Sequence, residues 1–120
     1  MTARRIDLGE APVLLVSEEG PPLGSEADAV DLVGEALSCG AKIIALPVRR
    51  LHPDFLQLRT TMAGFFVQKL VNYRLALAVV GDISEAVGRS KALADYVRES
   101  GKGGHLLFIS DLAALESRLP

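Results

Sequence analysis

Hydrophobic and polar residues alternate along this chain in segments that predict strands and helices in turn. Polar and apolar residues alternate at 5–8, which predicts a half-buried edge strand, and a second strand is predicted at 12–17 after a turn. Longer apolar runs are typical of strands buried on both faces, and they occupy 42–46, 74–80 and 105–109. Pro47 lacks a backbone N–H and is expected to end the first of these runs.

Helical periodicity fills the segments between these strands. Ser25 is a good N-cap and Gly40 a good helix end, and the apolar stripe predicted between them is Ala27, Val30, Gly34 and Leu37. A second helix is predicted over 60–73, with a core stripe of Met62, Phe66, Leu70 and Tyr73. Ser90 is expected to cap a third helix that ends at 100–104, and Ser110 or Asp111 to cap a fourth.

The predicted order of elements is therefore β-β-α-β-α-β-α-β-α over a single domain, residues 1–120. Strands that alternate with helices favour a largely parallel sheet with right-handed crossovers. The first two strands are close enough in sequence to form a hairpin, which adds an antiparallel edge. The sequence thus predicts an α/β fold with a mixed, mostly parallel sheet packed with helices.

Composition narrows the function classes. The net charge is -2 with no basic face, so nucleic acid is not an expected partner. No apolar run approaches the ~20 residues of a membrane helix, and the N-terminus does not resemble a signal peptide. Cys39 is the one cysteine and has no partner for an internal disulfide, so a cytoplasmic location is expected. No metal-ligand spacing occurs, and neither a metal nor a cofactor is expected.

Charged residues follow the predicted strands at their carboxyl ends, where α/β proteins usually bind ligands. Arg49 and Arg50 follow one strand and Asp82 follows the next, while Arg59 lies close to the start of the second helix. These four residues are candidates for binding a small anionic ligand. The alternative is that the arginines are simply solvated. Asp82 could also accept a phosphoryl group as in a receiver domain, but no lysine follows the last strand.

Two hydroxyls stand at the start of the second helix. Thr60 and Thr61 are candidate phosphorylation sites, because backbone N–H groups at a helix start favour an anion. The alternative is that one of the two threonines caps the helix.

Phe65 lies on the polar stripe of the same helix. Its neighbours on that stripe, Gln68 and Asn72, are polar, so an exposed phenylalanine there predicts a contact with a protein partner or with a second copy of the chain. The alternative is that Phe65 packs beneath the loop 53–58.

Several segments resemble a known bacterial family: Phe55, Leu58–Thr60, Ala63–Gly64, Gln68–Lys69, Val71–Arg74, Leu77–Asp82 and Ser90–Leu93. They are similar to the family named domain of unknown function 4180, from about residue 29 onward. The resemblance implies no established activity. The family pattern has glutamate at the position of Phe65, so the resemblance implies an added apolar contact here in place of a carboxylate.

The order of elements is also similar to that of the STAS domain, the fold of sulphate transporters and anti-sigma-factor antagonists. In that family a serine or threonine at the start of the helix after the third strand is phosphorylated by a partner kinase. Thr60 and Thr61 lie near that place, although the Asp-Ser-Ser-Gly type of motif is absent. The resemblance implies a regulatory module by analogy of architecture.

Two hypotheses of function follow. The favoured one is a non-enzymatic, STAS-like regulatory module that binds a protein partner and is controlled by threonine phosphorylation. The other is a small-molecule binder or minor enzyme that uses the loop arginines and Asp82, although no general base of tunable pKa is evident among them. A structural or oligomeric accessory role is the remaining alternative.

Overall fold

Five strands form one mixed sheet in the computed structural model, which describes residues 3–119. The strands are β1 (Ala3–Leu8), β2 (Ala11–Val16), β3 (Ile43–Pro47), β4 (Ala76–Val80) and β5 (Leu106–Ile109), and they lie in the order β1-β2-β3-β4-β5. β1 pairs antiparallel with β2, and every other neighbouring pair is parallel. The predicted fold class is confirmed, and Pro47 is the last residue of its strand as expected.

Five helices connect the strands or follow them. They are α1 (Glu26–Cys39), α2 (Met62–Val71), α3 (Ser84–Arg89), α4 (Lys91–Gly103) and α5 (Leu112–Arg118). The sequence did not predict α3, whose six residues bury no side chain completely and therefore carry little periodic signal. The extended backbone of Ser90 separates α3 from α4, and the Ser90 hydroxyl caps α4 by accepting from the N–H of Leu93 at 3.1 Å.

The ends of α1 follow directly from its sequence. The Ser25 hydroxyl accepts from the N–H of Asp28, while the Asp28 carboxylate accepts from the N–H of Ser25, which completes a capping box. Gly40 ends the helix at φ 74°, a left-handed conformation that glycine adopts without steric cost.

The apolar stripe predicted for α1 was wrong. Ala27, Val30, Gly34 and Leu37 are exposed, and the helix instead buries Ala29, Leu32, Val33 and Ala36. The buried set has the i, i+3, i+4, i+7 spacing that fits a helix face better than the predicted set does. Both faces of α1 carry apolar residues, so periodicity alone does not decide which one meets the sheet.

The two faces of the sheet are covered unequally. Side chains of α1 and α2, among them Leu32 and Phe66, pack with Leu46 and Leu77 on one face. On the other face the core contains Val13, Ala45 and Ala78, and within residues 3–119 the only helix that contributes to it is α5. We call this second surface the α5 face of the sheet. A seven-residue helix leaves part of that face accessible.

The turn after α2 carries a residue that is not favoured there. Arg74 has φ 61°, and the N–H groups of Arg74 and Leu75 donate to the carbonyls of Val71 and Leu70. A Cβ atom is disfavoured in this conformation, so we expect Arg74→Gly to raise the free energy of unfolding by about 0.5–1 kcal/mol. Urea denaturation measures the change.

A matched control tests the cause of that gain. Asn72 lies two residues earlier with φ -58°, an ordinary helical value. Asn72→Gly should therefore destabilise the protein, because glycine only adds entropy to the unfolded chain there. Stabilisation by both substitutions would show that backbone strain at Arg74 is not the reason.

Candidate functional site

Phe55 anchors the segment that leads from β3 to α2. Its side chain is 0% exposed, and its ring packs edge-on against Phe66 of α2 with the ring centroids 5.5 Å apart. His52 stabilises the preceding turn, because its Nδ1 accepts from the N–H of Asp54 at 3.0 Å. The segment therefore has a buried anchor, although it contains only short 3₁₀ turns.

The structure distinguishes the two threonines. The Thr60 hydroxyl lies 2.9 Å from the carbonyl of Asp54 and 2.8 Å from that of Gln57, and it accepts from the N–H of Met62. Thr61 is exposed, makes no side-chain cap bond to α2 and has φ 61°. The Thr60 hydroxyl is therefore held by three backbone groups of the turn, whereas the Thr61 side chain is exposed at the start of the helix and its hydroxyl donates only to the carbonyl of Thr60.

Phe65 projects from the polar stripe of α2 as predicted, with 72% of the residue exposed. It does not pack beneath the loop 53–58, where Phe55 occupies the buried position instead. Beside it, the Gln68 amide nitrogen donates to the Asn72 side-chain oxygen at 3.0 Å. An exposed phenylalanine thus lies next to a polar pair on the outer side of the helix.

Tyr73 was predicted to belong to the core stripe of this helix, and that prediction was wrong. It is 49% exposed, because the helix ends at Val71 and the chain turns before Tyr73. The core is filled instead by Ala63, Phe66 and Leu70.

Exposed apolar side chains concentrate on α1, α2 and the turn that follows α2. The large hydrophobic residues that are exposed within residues 3–119 are Val30 (50%), Leu37 (53%), Phe65 (72%) and Tyr73 (49%). We call the surface they form the α1–α2 face.

Two of these residues lie on α1, and the other two lie on α2 and in the turn after it. Val30 and Leu37 are seven residues apart, two turns of α1, and Phe65 lies one turn before Lys69 on α2. Glu26 lies one turn before Val30, and its carboxylate is 3.5 Å from the Lys69 ammonium. This ion pair shows that the two helices are adjacent, with exposed apolar residues on each.

Such a surface is suited to association. Burying the remaining exposed part of each of these side chains is worth about 1 kcal/mol, since full burial of a large apolar side chain gives about 1.5–3 kcal/mol. An apolar patch with polar and charged groups at its rim is the usual composition of a protein interface. Sequence reasoning identified Phe65 but missed Val30, Leu37 and Tyr73, which it had assigned to buried stripes.

Arg50, a predicted anion-binding residue, lies in the interior with 2% exposure. Its Nε donates to the carbonyl of Pro21 at 2.9 Å, and its Nη1 donates to the carbonyls of Ser17 and Glu19 at 2.9 and 2.8 Å. Gly20 lies against the guanidinium, where an added Cβ would be 2.7 Å from Cζ. In this structure Arg50 holds the loop between β2 and α1.

Arg50 also acts on a nearby carboxylate. Burial alone would raise the pKa of Asp28, but backbone hydrogen bonds from Gly24 and Ser25, the Ser25 hydroxyl and the charge of Arg50 together lower that pKa below its ordinary value. The guanidinium thus supports the capping box of α1 as well as the loop.

The other predicted anion-binding residues lie in separate places. Arg49 is exposed and is 3.7 Å from the Glu18 carboxylate. Arg59 contacts Gln57 and lines a cleft with Arg89 of α3. The Asp82 carboxylate accepts from the N–H of Ser84, and hydrogen bonds from Ser84 lower the pKa of Asp82. None of the three clefts on this surface is lined by more than one of Arg49, Arg50, Arg59 and Asp82.

Two further observations concern the described part of the chain. Between residues 3 and 119, no three His, Cys, Asp or Glu residues are grouped in a way that could hold a metal ion. Over the same range, none of the helices has the length and apolar character needed to cross a membrane.

Comparison with known proteins gives one match. The model of a family described as Domain of unknown function (DUF4180) matches residues 8–119. No curated protein and no solved structure matches the chain.

Proposed function

The chain belongs to the DUF4180 family, and we propose that it is a STAS-like, non-enzymatic regulatory module that binds a protein partner through its α1–α2 face. One observation carries the proposal. The four large hydrophobic residues exposed within residues 3–119 all lie on this face. Single exposed hydrophobic residues are common on protein surfaces, but several on two adjacent helices indicate a binding surface.

The side chains of the α1–α2 face indicate what kind of partner it would bind. Exposed apolar residues on two adjacent helices, beside the Glu26–Lys69 ion pair, fit an apolar helix or ridge that also carries polar groups. Phe65 is the most exposed of the four apolar residues, so it is the expected anchor. A second copy of the chain could present such a ridge, and the experiments below distinguish it from a different protein.

The order of elements supports the STAS-like part of the proposal. Strands β2 to β5 lie side by side in chain order, and α1 and α2 pack on the same face of the sheet. The helix that follows the third strand is α2, which begins beside Thr61. This is the position at which the STAS analogy expects a phosphorylated residue.

Thr61 is the better candidate for phosphorylation because its side chain is exposed, whereas the Thr60 hydroxyl is held in the turn. A phosphate at Thr61 would lie at the N-terminus of α2, which favours negative charge. Phe65 is four residues further along, on the same row of the helix. The added charge of about -2 would be tolerated within the domain but would oppose an apolar partner at Phe65.

Phe65→Glu tests the interaction surface. We expect this change to reduce the amount of partner captured from a lysate of the source cells about tenfold or more, since a charge at an interface anchor costs about 2 kcal/mol. The thermal unfolding of the variant should match that of the wild type, because Phe65 contributes little to the core. Size-exclusion chromatography with light scattering on both proteins shows whether the captured partner is a second copy.

Matched variants make the test specific. Leu37→Glu, on α1, should weaken the same interaction, whereas Ala113→Glu should not, because Ala113 is an exposed residue of α5. A captured protein that is retained equally by Phe65→Glu and Leu37→Glu does not use the α1–α2 face, and the proposal would then fail.

A further pair of variants tests the control by phosphorylation. Thr61→Glu should weaken capture in the same direction as Phe65→Glu, whereas Thr61→Asn should leave it unchanged, since asparagine tolerates the left-handed backbone at this position. If Thr61→Glu captures as much partner as the wild type does, a negative charge at residue 61 does not control the interaction.

A further inference from the structure

A cleft of about 510 Å³ lies on the α5 face of the sheet, away from the α1–α2 face. It opens at the carboxyl ends of β2, β3 and β4, and its apolar walls include Leu15, Pro47, Val80 and Leu112. A volume of about 300–1,000 Å³ is typical of small-molecule sites, which are mostly apolar with a few polar groups. The edge at the carboxyl ends of parallel strands is also where α/β sheets bind ligands.

Arg4 supplies the positive charge of this cleft. Side chains alternate between the faces of β1, so Arg4 lies on the same face as Ile6 and Leu8, which pack with the α5-face core, and it pairs in register with Leu15 of β2. Arg4 makes no ion pair or side-chain hydrogen bond with any residue from 3 to 119. Arg5, on the opposite face, donates to Asp7 and to the carbonyl of Cys39.

The other polar groups at the cleft are already engaged. The Glu18 carboxylate is 3.7 Å from the guanidinium of Arg49, which balances its charge. The Ser17 hydroxyl accepts from the N–H of Glu19 at 3.1 Å. Within residues 3–119, the cleft therefore combines an apolar wall with one guanidinium at its edge that makes no ion pair.

We propose that this cleft binds an amphipathic monocarboxylate, a molecule with an apolar body and a single carboxylate. The apolar body lies against Leu15, Val80 and Leu112, and the carboxylate pairs with Arg4. A guanidinium matches a carboxylate with two parallel hydrogen bonds. A polyphosphate would need several cations, and no aromatic side chain lines the cleft to stack on a base.

Titration of the full ¹⁵N-labelled chain with sodium octanoate tests the site. We expect saturable shifts of the backbone amides of Leu15, Val80 and Leu112. Arg4 is exposed, so Arg4→Gln should weaken the binding of octanoate about threefold to fivefold, the effect of an exposed ion pair. Arg5→Gln is the matched control on the neighbouring residue and should leave the affinity unchanged.

Two more measurements separate charge from shape. Octanamide keeps the apolar body without the charge and should bind about as weakly to the wild type as octanoate binds to Arg4→Gln. Leu15→Phe keeps Arg4 but fills the cleft, and it should also weaken octanoate binding. The proposal is overturned if octanoate causes no saturable shifts at the cleft, if Arg4→Gln binds it as well as the wild type does, or if octanamide binds equally well. These results do not depend on the α1–α2 face.

Discussion

Arg50→Met is expected to lower the free energy of unfolding by about 3 kcal/mol, one of the two largest effects predicted for this protein. Methionine keeps the apolar stem but removes the donors to the carbonyls of Ser17, Glu19 and Pro21. Each hydrogen bond to a charged group is worth about 1.5–3 kcal/mol, and part of that loss is recovered when water reaches the exposed loop. Denaturation in urea, followed by circular dichroism, measures the change.

Arg49→Met is the matched control for this prediction. Arg49 is the preceding residue, and its ion pair with Glu18 is exposed to solvent. Exposed ion pairs contribute about 0–1 kcal/mol, so this variant should stay close to the wild type. Equal destabilisation by the two substitutions would show that the buried hydrogen bonds of Arg50 are not the cause.

Arg50→Met should also change the pKa of Asp28. The charge of Arg50 helps to hold the pKa of Asp28 below its usual value of 3.8, so the pKa should rise in Arg50→Met. Because the folded-state pKa is lowered, the ionised carboxylate stabilises the fold above the unfolded-state pKa, and this stabilisation is lost as the pH falls through the folded-state pKa. The loss of stability in acid that is due to Asp28 should therefore be smaller in the variant and complete at a higher pH, and carboxyl ¹³C NMR titration measures the pKa directly.

Phe55→Ala is expected to lower the free energy of unfolding by about 3–5 kcal/mol, the usual range for a buried phenylalanine. Its side chain is 0% exposed and packs edge-on against Phe66, and the segment around it has little regular structure of its own. Loss of the ring should therefore also destabilise the segment that leads into α2, near Thr61 and Phe65. Urea denaturation gives the stability, and hydrogen exchange of the amides at 56–64 should show faster local opening.

Phe65→Ala removes the same side chain from an exposed position of α2. It should change the free energy of unfolding by less than about 0.5 kcal/mol, since Phe65 is 72% exposed in the folded chain. A large loss of stability in Phe65→Ala would mean that this residue belongs to the core, and the proposed α1–α2 face would lose its anchor. Comparison of Phe55→Ala with Phe65→Ala thus distinguishes a phenylalanine that stabilises the fold from one that is proposed to bind a partner.

The two proposals place different functions on opposite sides of the sheet. The α1–α2 face is proposed to bind a protein, and the cleft beside Arg4 is proposed to bind a small carboxylate. Both surfaces border the same sheet, because α1 and α2 pack on one face and α5 on the other. A variant on one side should leave binding on the other unchanged, unless the sheet couples them.

The predicted fold was largely right because its signals are local. Continuous apolar runs indicated the buried strands, and Ser25, Gly40, Ser90 and Asp111 mark helix ends through hydrogen bonds and conformations that depend on a few neighbouring residues. The short helix α3 was not predicted, because its six residues bury no side chain and give no periodic pattern to detect.

The candidate site was harder to predict, because exposure depends on distant parts of the chain. Arg49, Arg50 and Asp82 follow strands and Arg59 lies near the start of α2 as expected, yet the fold buries Arg50 beneath the loop 17–21 and separates the others. Nothing in the local sequence distinguishes Arg50 from Arg49. The distinction comes from carbonyl groups about thirty residues earlier in the chain.

The sequence by itself determined the α/β class, the ends of most helices and the place of Phe65 on a polar stripe of its helix, since each depends on spacing within one or two turns. Only the tertiary structure decided which apolar stripe of α1 faces the sheet, that Phe65 is exposed, that Tyr73 lies outside the core, and that Arg4 lines the cleft on the α5 face while Arg5 does not. Those outcomes depend on how whole elements pack against the two faces of the sheet. Packing is a property of contacts between distant residues, and a local pattern that fits two faces equally well cannot choose between them.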